Sequence, residues 1–556
     1  MSLTQINKIG SIQNQEPLQV TICSSFVVKQ LNDYLNYWSN EFGLKLNISF
    51  APYNQVFQQL LNPYSLLNQN TGINILFISV EDWLRDQTDK TVSEQTHFLQ
   101  QTYLEFIEAI NTARKNTSIP FLIGIIPLSL SHSFSSEIEN SIIEINRKLD
   151  SSLKEFPRFY LFDFIKIATL YDVAEVFDSK SNEIAHIPFT PEYYAALGTF
   201  LSRRIRAYML PSYKVIAIDC DNTLWKEDCA KQDLINVSID KNYAYLQEFL
   251  LEKHNEGFLL VLCGTNNEID GWKIFDTHPQ MKIKREHIAA DRINLDNVSD
   301  NLKSIAKELN LGLDNFIFIS NNNSGTEQLS VSCPEMLLVT LPGDPENFFS
   351  FFNHIWEFDS FHATQEDRQR NKMYTAEKKR KQEEIKFNHI NDFLRSLNIQ
   401  INLYKLEEND MDRALQLTLR TNQFNLNGIR KTREEILESI HDKNSVAWIV
   451  DVKDRFGDYG IVGLLLGKEI DSSLTIDTFV LSCRAMGKNV EDFMLSELQN
   501  YCALKEIEII KASFIATTRN QPFLEFLNRT DWRIDNQNNS YHLLAINKTK
   551  TFADKE

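Results

Sequence analysis

Two short stretches of this chain hold side chains whose types and spacing can do chemistry. Asp219-Cys220-Asp221-Asn222-Thr223 follows directly on the apolar run KVIAI. Two carboxylates two residues apart, at the carboxyl end of a buried strand, suit phosphoryl transfer. Asp219 can attack phosphorus, Asp221 can shuttle the leaving-group proton, and Mg²⁺ would neutralise the pair. The plain alternative is a pair of loop carboxylates at a strand end. Cys220, wedged between them, faces the other way on an extended backbone and reads as core. The second stretch, Ser482-Cys483-Arg484-Ala485-Met486-Gly487-Lys488-Asn489-Val490-Glu491, closes the apolar run LTIDTFVL. A Cys483 thiolate beside Arg484 and a helix start would be stabilised by positive potential and could carry an acyl thioester. The alternative is a packed, inert cysteine.

The elements that must position these groups alternate along the chain. To about Leu210 the apolar runs LQVTIC, INILFISV, PFLIGIIPL and FYLFDFI are separated by helical stretches, the pattern of buried parallel strands in an α/β domain. A second α/β region opens at KVIAI. It continues through a helix with Tyr243, Leu246 and Leu250 on one face, stopped by Gly257. The strand FLLVLC, a helix carrying Leu302, Ile305, Ala306 and Leu309, and the strand FIFIS follow. In such doubly wound sheets ligands sit at the carboxyl ends of the strands. The mixed-charge segment from Glu366 to Lys386 reads as a solvated linker helix, with a carrier-docking surface as the sharper alternative. Beyond it SVAWIV, GIVGLLLG and LTIDTFVLSC precede a helix from about Asn489 and then IEIIKASFI, an α+β order. The expected organisation is an α/β multidomain chain of domains 1–210 and 211–358, a charged linker helix 359–389, a domain 390–548 and a tail 549–556.

Length and composition fit that division. A chain of 556 residues is too long for one core, and 43% hydrophobic with 24% charged residues describes an ordinary globular protein. No apolar run approaches the roughly 18 to 20 residues that cross a bilayer, and the start of the chain lacks the pattern of a signal peptide. Seven scattered cysteines without metal-ligand spacing suggest a reduced, cytoplasmic compartment. A net charge of −18 argues against nucleic acid or an anionic membrane as a partner.

The string DCDNTLW matches the HAD signature. With HPQMKIKREHIAADRIN, LNLGLDNFIFI and LPGDPE it resembles the FkbH-like family, HAD subfamily IIIC, of polyketide and nonribosomal peptide assembly lines. FAPYNQVFQQLLNP and AHIPFTPEYYAALGTFLSRR extend the resemblance to the long members, with an SGNH-hydrolase-like domain in front. LQLTLRTNQFNLNGIR, DRFGDYGIVGLLLG and the Cys483 stretch resemble a GNAT-like acyltransferase domain behind. The resemblance implies three folds, an SGNH-like α/β domain, a HAD-like Rossmannoid domain and a GNAT-like α+β domain. It also implies a protein that takes a glyceryl unit from 1,3-bisphosphoglycerate, removes the phosphate and loads an acyl or peptidyl carrier protein. The GNAT-like loop implies binding of the carrier's phosphopantetheine arm by Arg484, Gly487, Lys488 and Asn489, with Asn489 where a small residue is usual. In the first domain Ser24 or Ser25 stands where a hydrolase nucleophile would, and His186 where its base would, without the usual Gly-Asp-Ser context.

The departures from the family pattern converge on one mechanism. Gly264 and Thr265 replace Ser-Lys after the second strand of the HAD-like domain, and Val298 stands where a lysine is usual. Ser320 and Asn321 replace the Asp-Asp of the fourth strand, and Ala230-Lys231-Gln232-Asp233 replaces a glycine- and acid-rich loop. Mg²⁺, if held by Asp219 and Asp221, would lose further carboxylates, and a transferring phosphoryl group would lose its cation unless Lys226, Lys231 or Lys303 substitutes. The expected activity is acyl transfer through Cys483 or directly between thiols, with phosphatase chemistry largely lost. The alternatives are an intact glyceryl-loading enzyme and a non-catalytic carrier-docking scaffold.

Overall fold

The computed structural model describes residues 16–117, 119–129, 134–210, 213–227, 237–265, 267–361, 374, 376, 379–380, 383–384, 386–387, 389–517, 519–530, 532–535 and 540–544. The chain divides into two compact units, Met1–Ser212 with Asp344–His362, and Tyr213–Gly343 with Ala363–Glu556.

In the first unit β1 (Leu18–Ser24), β2 (Leu46–Phe50), β3 (Ile73–Ile78), β4 (Phe121–Ile125) and β5 (Phe159–Phe162) form a parallel sheet ordered β2-β1-β3-β4-β5. Every residue of β3 is buried, as a central parallel strand covered on both faces must be. Helices α1 (Leu31–Glu41), α2 (Val92–Asn116), α3 (Ser136–Lys154) and α4 (Pro191–Met209) supply the covers. Thr91 starts α2 with a capping box to Glu94, and Thr190 with Pro191 starts α4. Residues 344–362 belong here, and not with the region ending at 358 that the strand pattern suggested. Arg203 grips Asp359 through two bonds of 2.7 and 2.8 Å, and Arg206 reaches Glu357 at 2.9 Å. These contacts lie far apart in sequence, which periodicity does not reveal.

The second unit holds two sheets. β6 (Val215–Ile218), β7 (Leu259–Gly264), β8 (Ile288–Ile293), β9 (Phe316–Ser320) and β10 (Leu337–Thr340) are parallel in the order β10-β9-β6-β7-β8. β6 lies at the point where the strand order reverses, so its carboxyl end faces the crevice where such folds place ligands. The helices α5 (Lys241–Asn255), α6 (Glu268–Thr277), α7 (Val298–Glu308) and α8 (Asn323–Ser332) begin at Asp240, Asn267, Asn297 and Asn322, whose side chains accept their first backbone N–H groups.

The other sheet is mixed. Its strands are β11 (Gln400–Lys405), β12 (Phe424–Asn425), β13 (Ser445–Asp454), β14 (Gly457–Ile470), β15 (Ser473–Leu481), β16 (Ile509–Ala512), β17 (Arg533–Asp535) and β18 (Ser540–Leu544). β11, β13, β14 and β15 run antiparallel, whereas β15 and β16 are parallel. On β15, β16 pairs with Ser473–Ile476, and farther along that strand β12 pairs with Val480 and Leu481. The two parallel strands therefore part toward the carboxyl end of β15, beside the Cys483 loop. α9 (Met411–Arg420) presents Met411, Ala414 and Leu417 to one face of the sheet; α10 (Val490–Leu504) and α11 (Gln521–Arg529) pack into the core on the other.

The charged segment departs from the expectation of a solvated linker at Arg380. Its side chain is 3% exposed, bonded at 2.6 and 2.8 Å to the fully buried Asp454, and lies 4.1 Å from the Tyr459 ring. The charge pattern hid this pair because it reads solvation from neighbours in sequence, and Asp454 lies on β13. Among the described residues no helix is long and apolar enough to cross a membrane.

Candidate functional site

Asp219 continues β6, and its backbone N–H donates to the Ile319 carbonyl at 3.0 Å. One carboxylate oxygen, Oδ1, accepts the Cys220 N–H at 2.9 Å; the other, Oδ2, accepts the Ser320 hydroxyl at 2.8 Å. Burial among the strand ends pushes the carboxyl up to about 6; the Ser320 and Cys220 bonds oppose this, and the Asp221 charge adds to it. Asp221 Oδ1 accepts the Trp225 indole N–H at 2.8 Å. Thr223 is buried, and its hydroxyl accepts the Asn321 N–H at 3.2 Å. Asn222 turns the chain at a positive φ of 53°, a conformation asparagine tolerates. Cys220 is fully buried.

The positions of the family departures are now physical. Gly264 ends β7 so close to the aspartate that a Cβ there would stand 3.2 Å from Asp219 Oδ1. Thr265 is exposed beyond it, and Val298 opens α7. Ser320 also accepts the Asn322 N–H at 3.0 Å, so its hydroxyl serves the turn as well as the carboxylate. Among the described residues no cation contributes to the Asp219 shift. Lys226 is exposed; Lys303 is exposed and acts on Cys333 instead. Lys231, with the loop Ala230-Lys231-Gln232-Asp233, lies outside the described residues.

These groups make a poor Mg²⁺ cage. The cation needs several hard oxygens, and no cluster of three or more His, Cys, Asp or Glu side chains exists among the described residues. Ser320 turns a donor toward Asp219 Oδ2 and Trp225 toward Asp221 Oδ1, so each of these oxygens already accepts one hydrogen bond.

In the first unit Ser24 Oγ accepts the Phe26 N–H at 3.1 Å, and the buried Ser25 donates its hydroxyl to Asp82. Asp82 is also paired with Arg85, which in turn holds Tyr53. His186 stacks on Tyr53 with ring centroids 5.7 Å apart and makes no side-chain bond to Ser25 among the described residues. A serine nucleophile needs a base to take its proton, and here the proton is held by a carboxylate already paired to arginine.

The Cys483 stretch forms a single 3₁₀ turn, Cys483–Ala485, then a loop into α10. Gly487 and Asn489 both take positive φ, 71° and 62°. The Gly487 N–H points at Glu491, whose carboxylate accepts it at 3.3 Å, and Lys488 Nζ donates to the Arg484 carbonyl at 2.8 Å. Burial holds the Glu491 carboxyl above the usual range. An acid in the first turn of α10 thus takes a donor that an anionic ligand would want. Glu491 was not singled out in the sequence, although its place two residues beyond Asn489 was visible there.

Cys483 and Arg484 line a cavity of about 540 Å³ within the second unit. One wall is the end of α9 with Arg420–Gln423. Lys214 and Asn310–Asn315, from the amino ends of β6 and β9, line it as well. Of the six described free cysteines five are buried and Cys483 alone is partly exposed. The cavity therefore collects two of the predicted loop residues, Cys483 and Arg484. Gly487, Lys488 and Asn489 do not line it. Asp219 and Asp221 stand at the other end of β6, roughly 16 Å of strand from Lys214.

The chain is similar in fold to the N-terminal part of the protein BF1531 from Bacteroides fragilis, described as containing a phosphatase domain complexed with Mg. The likeness has a TM-score of 0.52 at 20% identity and covers 64% of this chain and 98% of that one. Smaller likenesses, each over 26% of this chain, are to the PaiA N-acetyltransferase from Thermoplasma acidophilum in complex with coenzyme A and to the ribosomal-protein-S18-alanine N-acetyltransferase from Escherichia coli. The first has 14% identity, a TM-score of 0.22 and 99% of that chain; the second has 6%, 0.20 and 91%. These two scores are too low to bear on the fold. No protein-family model matches the chain, and no curated protein is similar to it.

Proposed function

We propose that the protein is an acyltransferase of the FkbH-like type. It would move an acyl unit to or from the phosphopantetheine arm of an acyl or peptidyl carrier protein in polyketide or nonribosomal peptide assembly. The observation that carries this reading is the placing of Cys483. It is the one described cysteine that is not buried, and it lies on a cavity wall beside Arg484.

The chemistry is thioester exchange. The Cys483 thiolate adds to the carbonyl carbon of an acyl thioester, the bond from that carbon to the donor sulfur breaks, and the donor thiolate leaves and takes up a proton. A second thiol reverses the step and frees Cys483. In this reading the GNAT-like domain acts, and the HAD-like domain has given up phosphatase turnover. Incubation with an acyl thioester followed by intact-protein mass measurement tests it. The expected product is the chain plus one acyl group, mapped to Cys483 and absent from Cys483→Ala. Acylation elsewhere at the same rate in Cys483→Ala would sink the covalent route.

A second reading is favoured by the position of Asp219 at the strand-order reversal of its sheet. There the aspartate pair would still take the phosphate of a glyceryl donor such as 1,3-bisphosphoglycerate, Asp219 as nucleophile and Asp221 as acid/base. Phosphate release from an acyl phosphate, lost in Asp219→Asn, would support it.

A further inference from the structure

A cavity in the first unit is used by neither the aspartate pair nor Cys483. Its volume is about 1020 Å³, at the top of the range of small-molecule sites. β5 is the last strand of its sheet, and among the described residues it pairs with β4 alone. Helices from both faces of the sheet line the cavity. α3 shares a core with Ile123 and Phe159 and supplies Ile143 and Arg147. α4 shares the opposite core with Leu122 and Tyr160 and supplies Phe200 and Arg204. Leu161 and Phe162 of β5 lie between the two helices. The cavity is thus the place that a further strand of this sheet would take.

The peptide groups of that edge have a fixed direction. The Phe121 N–H of β4 donates to the Arg158 carbonyl at 2.8 Å, so Tyr160 and Phe162 also turn their peptide groups toward β4. Leu161, between them, turns its N–H and C=O outward. Strand edges are commonly blocked by lysine or proline, and β5, Phe159-Tyr160-Leu161-Phe162, carries neither. The walls beside the edge are apolar. Phe162 and Phe200 meet on the α4 side with ring centroids 5.5 Å apart, and Ile143 and Ile165 are exposed. The rim is positive, with Arg147, Lys154, Lys166 and Arg204 against Asp150 and Asp163. Lys154 pairs with Asp150 at 2.5 Å, and Arg204 donates to the Ser360 and Phe361 carbonyls at 2.6 Å. Asp163 accepts two N–H groups of the short helix Phe164–Leu170. Among the described residues the exposed Arg147 and Lys166 side chains make no hydrogen bond or ion pair.

We propose that this edge docks an extended segment of a partner protein, which adds a strand beside β5. Main-chain groups of the segment pair with the outward N–H and C=O of Leu161. Because both walls are apolar, its central residues are apolar on both faces, as in the buried strands of a parallel sheet. Its flanks are acidic and face Arg147 and Lys166. The edge and the rim select this occupant over two others. An apolar small molecule would cover the Leu161 peptide groups without pairing them, and burying unpaired polar groups is costly. A second copy of this chain, paired β5 to β5, would set Arg147 and Lys166 against their own counterparts. The assignment stands on the first unit alone and is independent of any chemistry at Cys483.

Fluorescence anisotropy of the full chain with a labelled, capped heptapeptide tests the assignment. The peptide is Val-Ile-Val with two glutamates on each side. It should bind at least about tenfold more tightly than the same peptide with lysines in place of the glutamates. Methylating the three central backbone nitrogens keeps the apolar surface and removes the strand donors. That change should weaken binding by about tenfold or more. The chain with Arg147→Glu and Lys166→Glu, two exposed positions, should prefer the lysine-flanked peptide. Hydrogen exchange supplies a readout that needs no variant. The Leu161 N–H should exchange readily in the free chain and become protected when the acidic peptide is bound. No binding of the acidic peptide would overturn the assignment. Binding indifferent to backbone methylation would make the cavity a plain apolar pocket and overturn it too. A flank preference that is absent, or that survives the charge reversal, would do the same. Protection of the Leu161 N–H already present in the free chain would show the edge filled by a second copy or by this chain itself, and would also refute a partner site.

Discussion

Asp219→Asn is a perturbation whose size and sign follow from the structure. Burial raises the Asp219 carboxyl from 3.8 to about 6, so above pH 6 the folded chain carries an ionised carboxylate at a cost. A shift of about two units corresponds to about 3 kcal/mol of differential stability. The folded state binds more protons than the unfolded state between about pH 4 and 6. This part of the cost is therefore relieved as pH falls through 6 and is fully present above it. Asparagine keeps an oxygen for the Ser320 hydroxyl or the Cys220 N–H and removes the charge. The variant should stabilise its sheet at pH 8, and its advantage over the wild type should shrink by about half, on the order of 1.5 kcal/mol, at pH 5. Melting of the whole chain does not isolate this sheet, because several domains unfold. Hydrogen exchange of peptides covering β6 and β9, corrected for intrinsic rates, reads it locally. An Asp219→Asn chain less protected than the wild type at pH 8, or an advantage unchanged between pH 8 and pH 5, would refute the electrostatic account and point to a bound cation.

Three further outcomes are expected. Arg380→Met strands the fully buried Asp454 and should destabilise the β13–β14 hairpin by roughly 3–5 kcal/mol, seen as lost exchange protection there; an effect under about 1 kcal/mol would show that the pair is solvated. Ser25→Ala should leave hydrolysis of a p-nitrophenyl acyl ester at the wild-type level, because the Ser25 proton is held by Asp82; a Ser25-dependent rate would revive the esterase reading. Ser320→Asp sets a further carboxylate against Asp219 and should lower the exchange protection of β6 and β9 peptides in EDTA by the equivalent of roughly 2 kcal/mol, with recovery in millimolar Mg²⁺. A Mg²⁺ response no larger than that of the wild type would contradict the poor-cage account.

Much of the architecture was legible because it depends on local pattern. Apolar runs of strand length separated by capped helices gave both parallel sheets, and a catalytic-type motif after KVIAI lay where a sheet of that kind exposes its ligands. Ser320 was singled out through the resemblance, as a replacement for an Asp at the end of the fourth strand, and the pairing of β9 with β6 sets it beside Asp219. Features joining distant segments were not legible. Lys214, Asn310–Asn315, Arg420 and Arg519 meet in one cavity only after two separate sheets fold, and no spacing in the sequence links them. Arg380 looked like one more solvated charge until β13 brought Asp454 to it. Residues 344–358 read as the end of the second domain and those from 359 as linker, because the arginines that hold Glu357 and Asp359 lie on α4, far earlier in the chain. The loop motif was found from its glycine and basic residues, but Glu491 decides where its Gly487 N–H points.

The central claim is that chemistry resides at Cys483 and not at the aspartate pair. One transfer assay separates the two, with an acylated phosphopantetheine donor, a second thiol as acceptor, and product followed by mass. Transfer by the Asp219→Asn/Asp221→Asn chain should match the wild type, while Cys483→Ala should fall at least a hundredfold. Full transfer by Cys483→Ala together with loss in the aspartate variant would contradict the account.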